Sequence, residues 1–226
     1  MFIDKSIIDN VRHNYEKILL YHQYLKHLFI TLDCRLEYGD NGKRLLPLSY
    51  KRLFANSSDY ALHSDRERPG ELWLPPWHGR FYVDADCLED QANVLSIDDY
   101  PATQIEYLAF IWTWIGCNDA YVMDQEQPEC WLGIVKPQPV EPVPSIYDVA
   151  NMIWKFIRVE KDAIEEQDKG WIKGRFYPNH MGSKLNGYWK VKRLPLSKLS
   201  NIHGIQQLVV SCLTEEFRAL DISPNF

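Results

Sequence analysis

Two aspartates and a histidine offer the most direct route to chemistry in this chain. Asp84 and Asp86 stand two residues apart, just after the apolar run ending at Val83. On an extended strand that spacing puts both carboxylates on one face, where they suit the oxygen coordination of Mg²⁺ or Mn²⁺. His78 lies upstream as a third ligand, and Glu89 and Asp90 add oxygens. This donor set describes a metal-dependent phosphodiesterase or nuclease. Asp-x-Asp recurs by chance, however, and here it lies inside a long acidic run, so this reading is an alternative. Cys87, His78 and Asp84 have the residue types of a thiol nucleophile, its base and its orienter, but no spacing places them within hydrogen-bond reach.

No phosphate loop, GxGxxG, HExxH or GxSxG occurs. Met181–Gly187 has two glycines around Ser183 at the wrong spacing for a nucleophile elbow, and it reads as a hairpin loop. The residues fix no reaction. A non-enzymatic role without a cofactor is the first expectation.

The charge pattern says more. From Phe81 to Val135 the chain carries eleven carboxylates and no Lys, Arg or His. Nine aromatic residues are interleaved with them. An acidic, aromatic-bearing face of this kind attracts a basic protein through complementary charge and holds it by buried aromatics. The expected docking residues are Asp84, Asp86, Glu89, Asp90, Asp98, Asp99, Glu106, Asp119, Asp124 and Glu126, with Trp77 beside Pro75-Pro76 as an aromatic shelf or core plug. A basic nuclease is the natural target class. That makes an immunity or antidote protein, or an inhibitor resembling DNA in charge, the concrete form of the expectation.

The C-terminal part mirrors this pattern. No Asp or Glu occurs from Lys169 to Thr214, while Lys173, Arg175, Lys190, Lys192 and Arg193 alternate with Trp171, Phe176, Tyr188 and Trp189. Basic residues among aromatics on a hairpin suit a single-stranded nucleic-acid groove, a second alternative. Against it stands the net charge of −6, which repels polyanions. The acidic run is equally suited to neutralising the hairpin from within. Up to residue 136 there are 13 basic and 21 acidic residues, net −8. From 145 onward there are 12 and 9, net +3.

Five cysteines, an odd number without a CxxC pair, read as reduced residues in a reducing compartment. The N-terminus lacks the basic and apolar regions of a signal peptide, and no apolar run is long enough to span a bilayer. A cytoplasmic location is therefore expected.

The elements that would position these residues are expected as follows. Residues 3–30 have a helical apolar face in Ile7, Val11, Tyr15, Ile18, Leu19, His22, Leu25 and Phe29. His22 sits at the margin of this stripe; as metal ligands, His22 and His27 are poorly matched because they are five apart. Residues 31–38 alternate as a short strand, and Gly39–Gly42 is a turn. Leu45–Leu53 is a returning strand or an irregular segment broken by Pro47. Residues 102–116 fit strand and helix periodicity equally; the cap-like Asp98-Asp99 before Pro101 favours helix. Residues 131–135 read as a strand. Lys136–Pro144, with four prolines, is an extended connector between an acidic part (1–136) and a docked helix–hairpin–helix part (145–226). Within the latter, a helix runs from Ser145 toward Gly170, strands lie at 171–177 and 187–194, and a helix occupies 203–220. The class is α+β, with a small, mainly antiparallel sheet flanked by N- and C-terminal helices.

Overall fold

The computed structural model describes residues 5–39, 43–47, 54–55, 77–87, 105–114, 127–139, 164–168, 170–176 and 185–222. The α+β expectation holds, with a larger sheet than anticipated. Helix α1 (Lys5–Tyr38) is followed by strands β1 (Leu45–Pro47), β2 (Phe54–Ala55), β3 (Trp77–Asp84), β4 (Leu108–Trp114), β5 (Glu129–Pro139), β6 (Ile164–Asp168), β7 (Trp171–Phe176) and β8 (Leu185–Pro195). A 3₁₀ turn (Leu196–Leu199) leads into α2 (Ile202–Ile205), a π-helical stretch (Gln206–Val210) and α3 (Ser211–Ile222). The eight strands form one sheet in the order β1-β3-β4-β5-β8-β7-β6, with β2 also on β3. Every pairing is antiparallel. Residues Glu129 to Pro139 pair with Pro195 to Leu185, so strands from both sides of the proline run share this sheet.

Alternation along the central strands builds two apolar layers. Ala109, Ile111, Cys130, Leu132 and Ile134 belong to one core with Leu25, Leu28, Phe29, Leu32 and Leu36 of α1 and with Val209, Leu213 and Phe217 from the C-terminal helical run. On the opposite face Phe81, Phe110, Trp112, Trp114 and Trp131 form a chain of neighbouring rings, with centroids 4.4 to 6.5 Å apart. These five rings are also buried. The tight packing uses two glycines: a Cβ on Gly133 would lie 1.9 Å from the Phe110 ring, and one on Gly79 would lie 2.0 Å from the Trp112 ring.

Several local expectations change. The helix expected over 102–116 is strand β4 from Leu108 to Trp114. All seven of its residues are buried, and burial on both faces favours an unbroken β-branched and aromatic run. The cap-like Asp98-Asp99 lies outside the described residues. The strand expected at 31–38 is the continuation of α1, because Leu32 and Leu36 extend the helical stripe of Leu25 and Phe29 into the core. Gly39, at φ 72°, ends that helix by donating its N–H to the Arg35 carbonyl. The helix expected to reach Gly170 gives way to β6 at Ile164–Asp168, and Gly170 (φ 81°) lies between β6 and β7. Its earlier part, 145–163, lies outside the described residues.

The hairpin strands expected near 171–177 and 187–194 are β7 and β8. The strand at 131–135 lies within a longer β5, and the final helix is present with a π-helical turn inside it. Pro47 ends β1, a strand at the sheet edge, where a missing N–H is tolerated. Among the described residues no helix is long and apolar enough to cross a membrane. Cys34, Cys87, Cys130 and Cys212 are free thiols.

Candidate functional site

The second half of α1 is fixed to the sheet by polar contacts as well as by its apolar side. Arg80 on β3 donates from Nη1 to Asp33 Oδ2 at 2.6 Å. Tyr82, two residues along on the same face, donates its hydroxyl to Asp33 Oδ1 at 3.0 Å. Burial outweighs Arg80 at this carboxyl and raises its pKa above the usual range. Tyr24 donates its hydroxyl to the Leu199 carbonyl at 3.2 Å, tying α1 to the 3₁₀ turn after β8. Neither Asp33 nor Arg80 stands out by spacing. The available signal was an arginine inside the aromatic strand Trp77–Asp84, which requires a partner when its neighbours are buried.

At the level of Tyr21 and His22, α1 leaves the sheet. There His78 of β3 is buried, with its ring edge-on to His22 (5.5 Å between centroids) and tilted to Tyr21 (6.5 Å). Burial, then the neighbouring His22, lowers the His78 pKa to about 4, so its ring is neutral at ordinary pH. Its Nδ1 is buried without a hydrogen-bond partner. Burial pushes the Tyr21 hydroxyl up to about 12.

Beyond this junction the helix projects. From Asp9 to Leu20 every side chain is exposed except Ile18, which is half-buried. Of the apolar face expected from the sequence, Val11 is 62 % exposed, Tyr15 59 % and Leu19 44 %. Leu20 is 65 % exposed. Arg12 and Glu16 pair along the helix surface at 3.3 Å.

The four described carboxylates of the acidic run, Asp84, Asp86, Glu106 and Glu129, meet bases of their own chain. Asp84 and Asp86 do share one side, and Lys43 lies between them, its Nζ 2.6 Å from Asp84 and 3.3 Å from Asp86. A lysine ammonium thus occupies the position expected for a divalent cation. Asp84 also accepts the N–H of Asp86, which closes the turn after β3. Glu106 lies 3.5 Å from Lys136. Glu129 accepts two bonds from Arg193, at 2.7 and 2.9 Å, and a third from the Trp131 indole. Glu89, Asp90, Asp98, Asp99, Asp119, Asp124 and Glu126, and the side chain of Trp77, lie outside what the structure describes.

His78 does not join Asp84 and Asp86. It is six residues up β3 from Asp84, about 20 Å along an extended strand. No group of three metal-binding side chains occurs among the described residues. The thiol constellation is separated in the same way, and burial followed by the Asp84 charge raises the Cys87 pKa instead of activating it.

The basic hairpin is divided between two faces. Lys190 and Lys192 share one side of β8, where both approach the Trp171 ring. Lys190 is buried in an ion pair with Glu216 of α3, and Lys192 reaches Cys212. Lys173 pairs in register with Lys190, and Arg175 lies over the Tyr188 ring at 4.7 Å. Arg193 points the other way, over Trp131. Four of the five cations thus share one face, where Lys190 is taken up by Glu216, and only Arg193 lies on the other.

No family model, curated protein or solved structure matches the chain.

Proposed function

We propose that this protein is a protein-binding module whose docking element is the projecting first half of α1. The observation that carries this is the course of one apolar stripe. It is core where α1 crosses the sheet, yet Val11 and Tyr15, further along the same helix, stand about 60 % exposed. Apolar side chains concentrated on an exposed helical face match the helix-in-groove mode of recognition.

The acidic segment is the weaker candidate for the docking face. Asp86 and Glu106 keep 56 % and 59 % of their side chains exposed, but both face a lysine of this chain, and Asp84 and Glu129 are half-buried or better in ion pairs. A basic toxin or nuclease as partner rests on the carboxylates outside the described residues. Lys43 between Asp84 and Asp86 tells against a two-carboxylate metal site, and Lys190 paired to Glu216 tells against a free phosphate-binding groove.

The test is site-specific photo-crosslinking in the cells that make the protein, with the reactive residue at position 15 in one variant and at position 87 in another. A discrete cross-linked protein from position 15 and none from position 87 is the expected result. No product from position 15 removes the reading.

A further inference from the structure

We infer that the projecting half of α1 docks against the same segment of a second copy of this chain, as an antiparallel helix pair. This rests on the reading above that α1 is a docking element, and it commits to the occupant.

The first argument is periodicity. Val11, Tyr15, Ile18, His22, Leu25, Phe29, Leu32 and Leu36 are separated by alternating steps of four and three. A 3.5-residue repeat is the seam that a second helix follows with knobs-into-holes packing. From Leu25 onward that seam is 0–2 % exposed against the sheet and the C-terminal helices. Before His22 it continues in the same register through half-buried Ile18 to Tyr15 and Val11, which are about 60 % exposed, so the occupant it fits is a helix.

The second argument is that α1 supplies its own complement. In an antiparallel pair centred near position 13, Val11 of each copy falls beside Tyr15 of the other, small against large. The same patch then serves both copies, as a two-fold interface requires.

The third argument is charge. The chain as a whole carries −6, which opposes association of copies. Its projecting helix does not share that bias: Lys5, Arg12 and Lys17 stand against Asp9 and Glu16. Arg12 and Glu16 already neutralise each other along the helix. A basic protein finds no acidic array here, whereas an identical, nearly neutral helix meets little repulsion.

The area sets the strength. Sixteen residues of helix are about 24 Å long and 10–12 Å across, so half the lateral surface is on the order of 400 Å² per copy. The two copies together reach roughly 800 Å², below the roughly 1,200 Å² of stable specific complexes. The pair should therefore be reversible, with a dissociation constant in the micromolar range.

Sedimentation equilibrium of the full chain, from about 1 to about 300 µM, brackets such a constant. The expected result is a rise toward twice the chain mass. Val11→Glu combined with Tyr15→Glu should weaken it by about 100-fold or more, as loss of central apolar anchors does. Leu20→Glu, equally exposed but on the opposite side of the helix at 100° per residue, should change it less than about 3-fold. All three positions are exposed, so unchanged circular dichroism is expected throughout. A wild-type monomer at every concentration overturns the inference, as does a double variant that still dimerises or a Leu20→Glu variant that dissociates equally. If wild type is monomeric but position 15 cross-links another protein in cells, self-pairing falls and the docking role of α1 stands. If both experiments are blank, both fall.

Discussion

Arg80 of β3 and Asp33 of α1 meet at 2.6 Å with their side chains only 8 % and 15 % exposed, and this pair fixes where the long helix crosses the sheet. Removing one partner of such a pair leaves the other charge buried alone, which costs far more than removing both. Arg80→Met should destabilise the fold by about 3–5 kcal/mol, and Arg80→Met with Asp33→Leu by clearly less. Urea unfolding of the two single variants and the double variant measures this. Additive losses would show that the two residues act independently.

His78 gives the fold an acid limit. Its folded pKa, about 4, lies below the ordinary histidine value of 6.5. The unfolded chain therefore takes up a proton first as pH falls. Stability from this residue is intact above pH 6.5, declines through the interval down to about 4, and falls no further below it. The full interval corresponds to about 3 kcal/mol. Unfolding midpoints at several pH values should show this loss, and His78→Gln should flatten the curve between pH 6.5 and 4.

Much of the architecture was legible from local patterns. The C-terminal hairpin could be read from alternating Tyr188, Lys190 and Lys192, and the final helix from Ile205, Val209, Leu213 and Phe217 at helical spacing. Strand β4 was not, because a strand buried on both faces has no polar face to reveal its period. The end of α1 is obscured for a related reason: Leu32, Cys34, Leu36 and Tyr38 alternate like a strand, and only the stripe begun at Leu25 identifies Leu32 and Leu36 as one helical side. The site was harder still. Charge runs show where acids and bases lie along the chain but not which meet, so the pairing of Glu129 with Arg193, 64 residues apart, was invisible. The α1 stripe was visible, but amphipathicity marks a face as apolar without saying whether this chain covers it.

Arg193 and Glu129 carry a prediction that separates geometry from charge. The guanidinium makes two parallel bonds to the carboxylate and lies 5.3 Å from the Trp131 ring centroid. A lysine keeps the charge but loses the fork and the flat contact. Arg193→Lys should lower stability by about 1–2 kcal/mol, read as a fall in the thermal midpoint.

Gly133 probes the packed aromatic layer. A methyl group there would lie 1.9 Å from the Phe110 ring, so Gly133→Ala forces a fully buried ring to move. The expected loss is about 1–3 kcal/mol, typical of overpacking. Phe110→Leu in the same chain makes room for the added methyl. The double variant should be more stable than the sum of the single losses predicts, and calorimetry decides it.

The exposed acids test the two docking faces against each other. Asp86 and Glu106 each touch a lysine, but more than half of each side chain remains in water, where such pairs contribute little. Asp86→Asn and Glu106→Gln should each shift stability by less than about 1 kcal/mol. If α1 is the docking element, neither change alters the strength of association or its salt dependence, while the uncharged truncation Tyr15→Ala weakens association without altering how it responds to salt. If the acidic segment docks instead, the pattern reverses: neutralising Asp86 and Glu106 together lowers affinity most at low ionic strength, where unscreened charge acts over the longest range. Measuring association of the Tyr15→Ala variant and of the Asp86→Asn, Glu106→Gln double variant at low and high salt assigns the face.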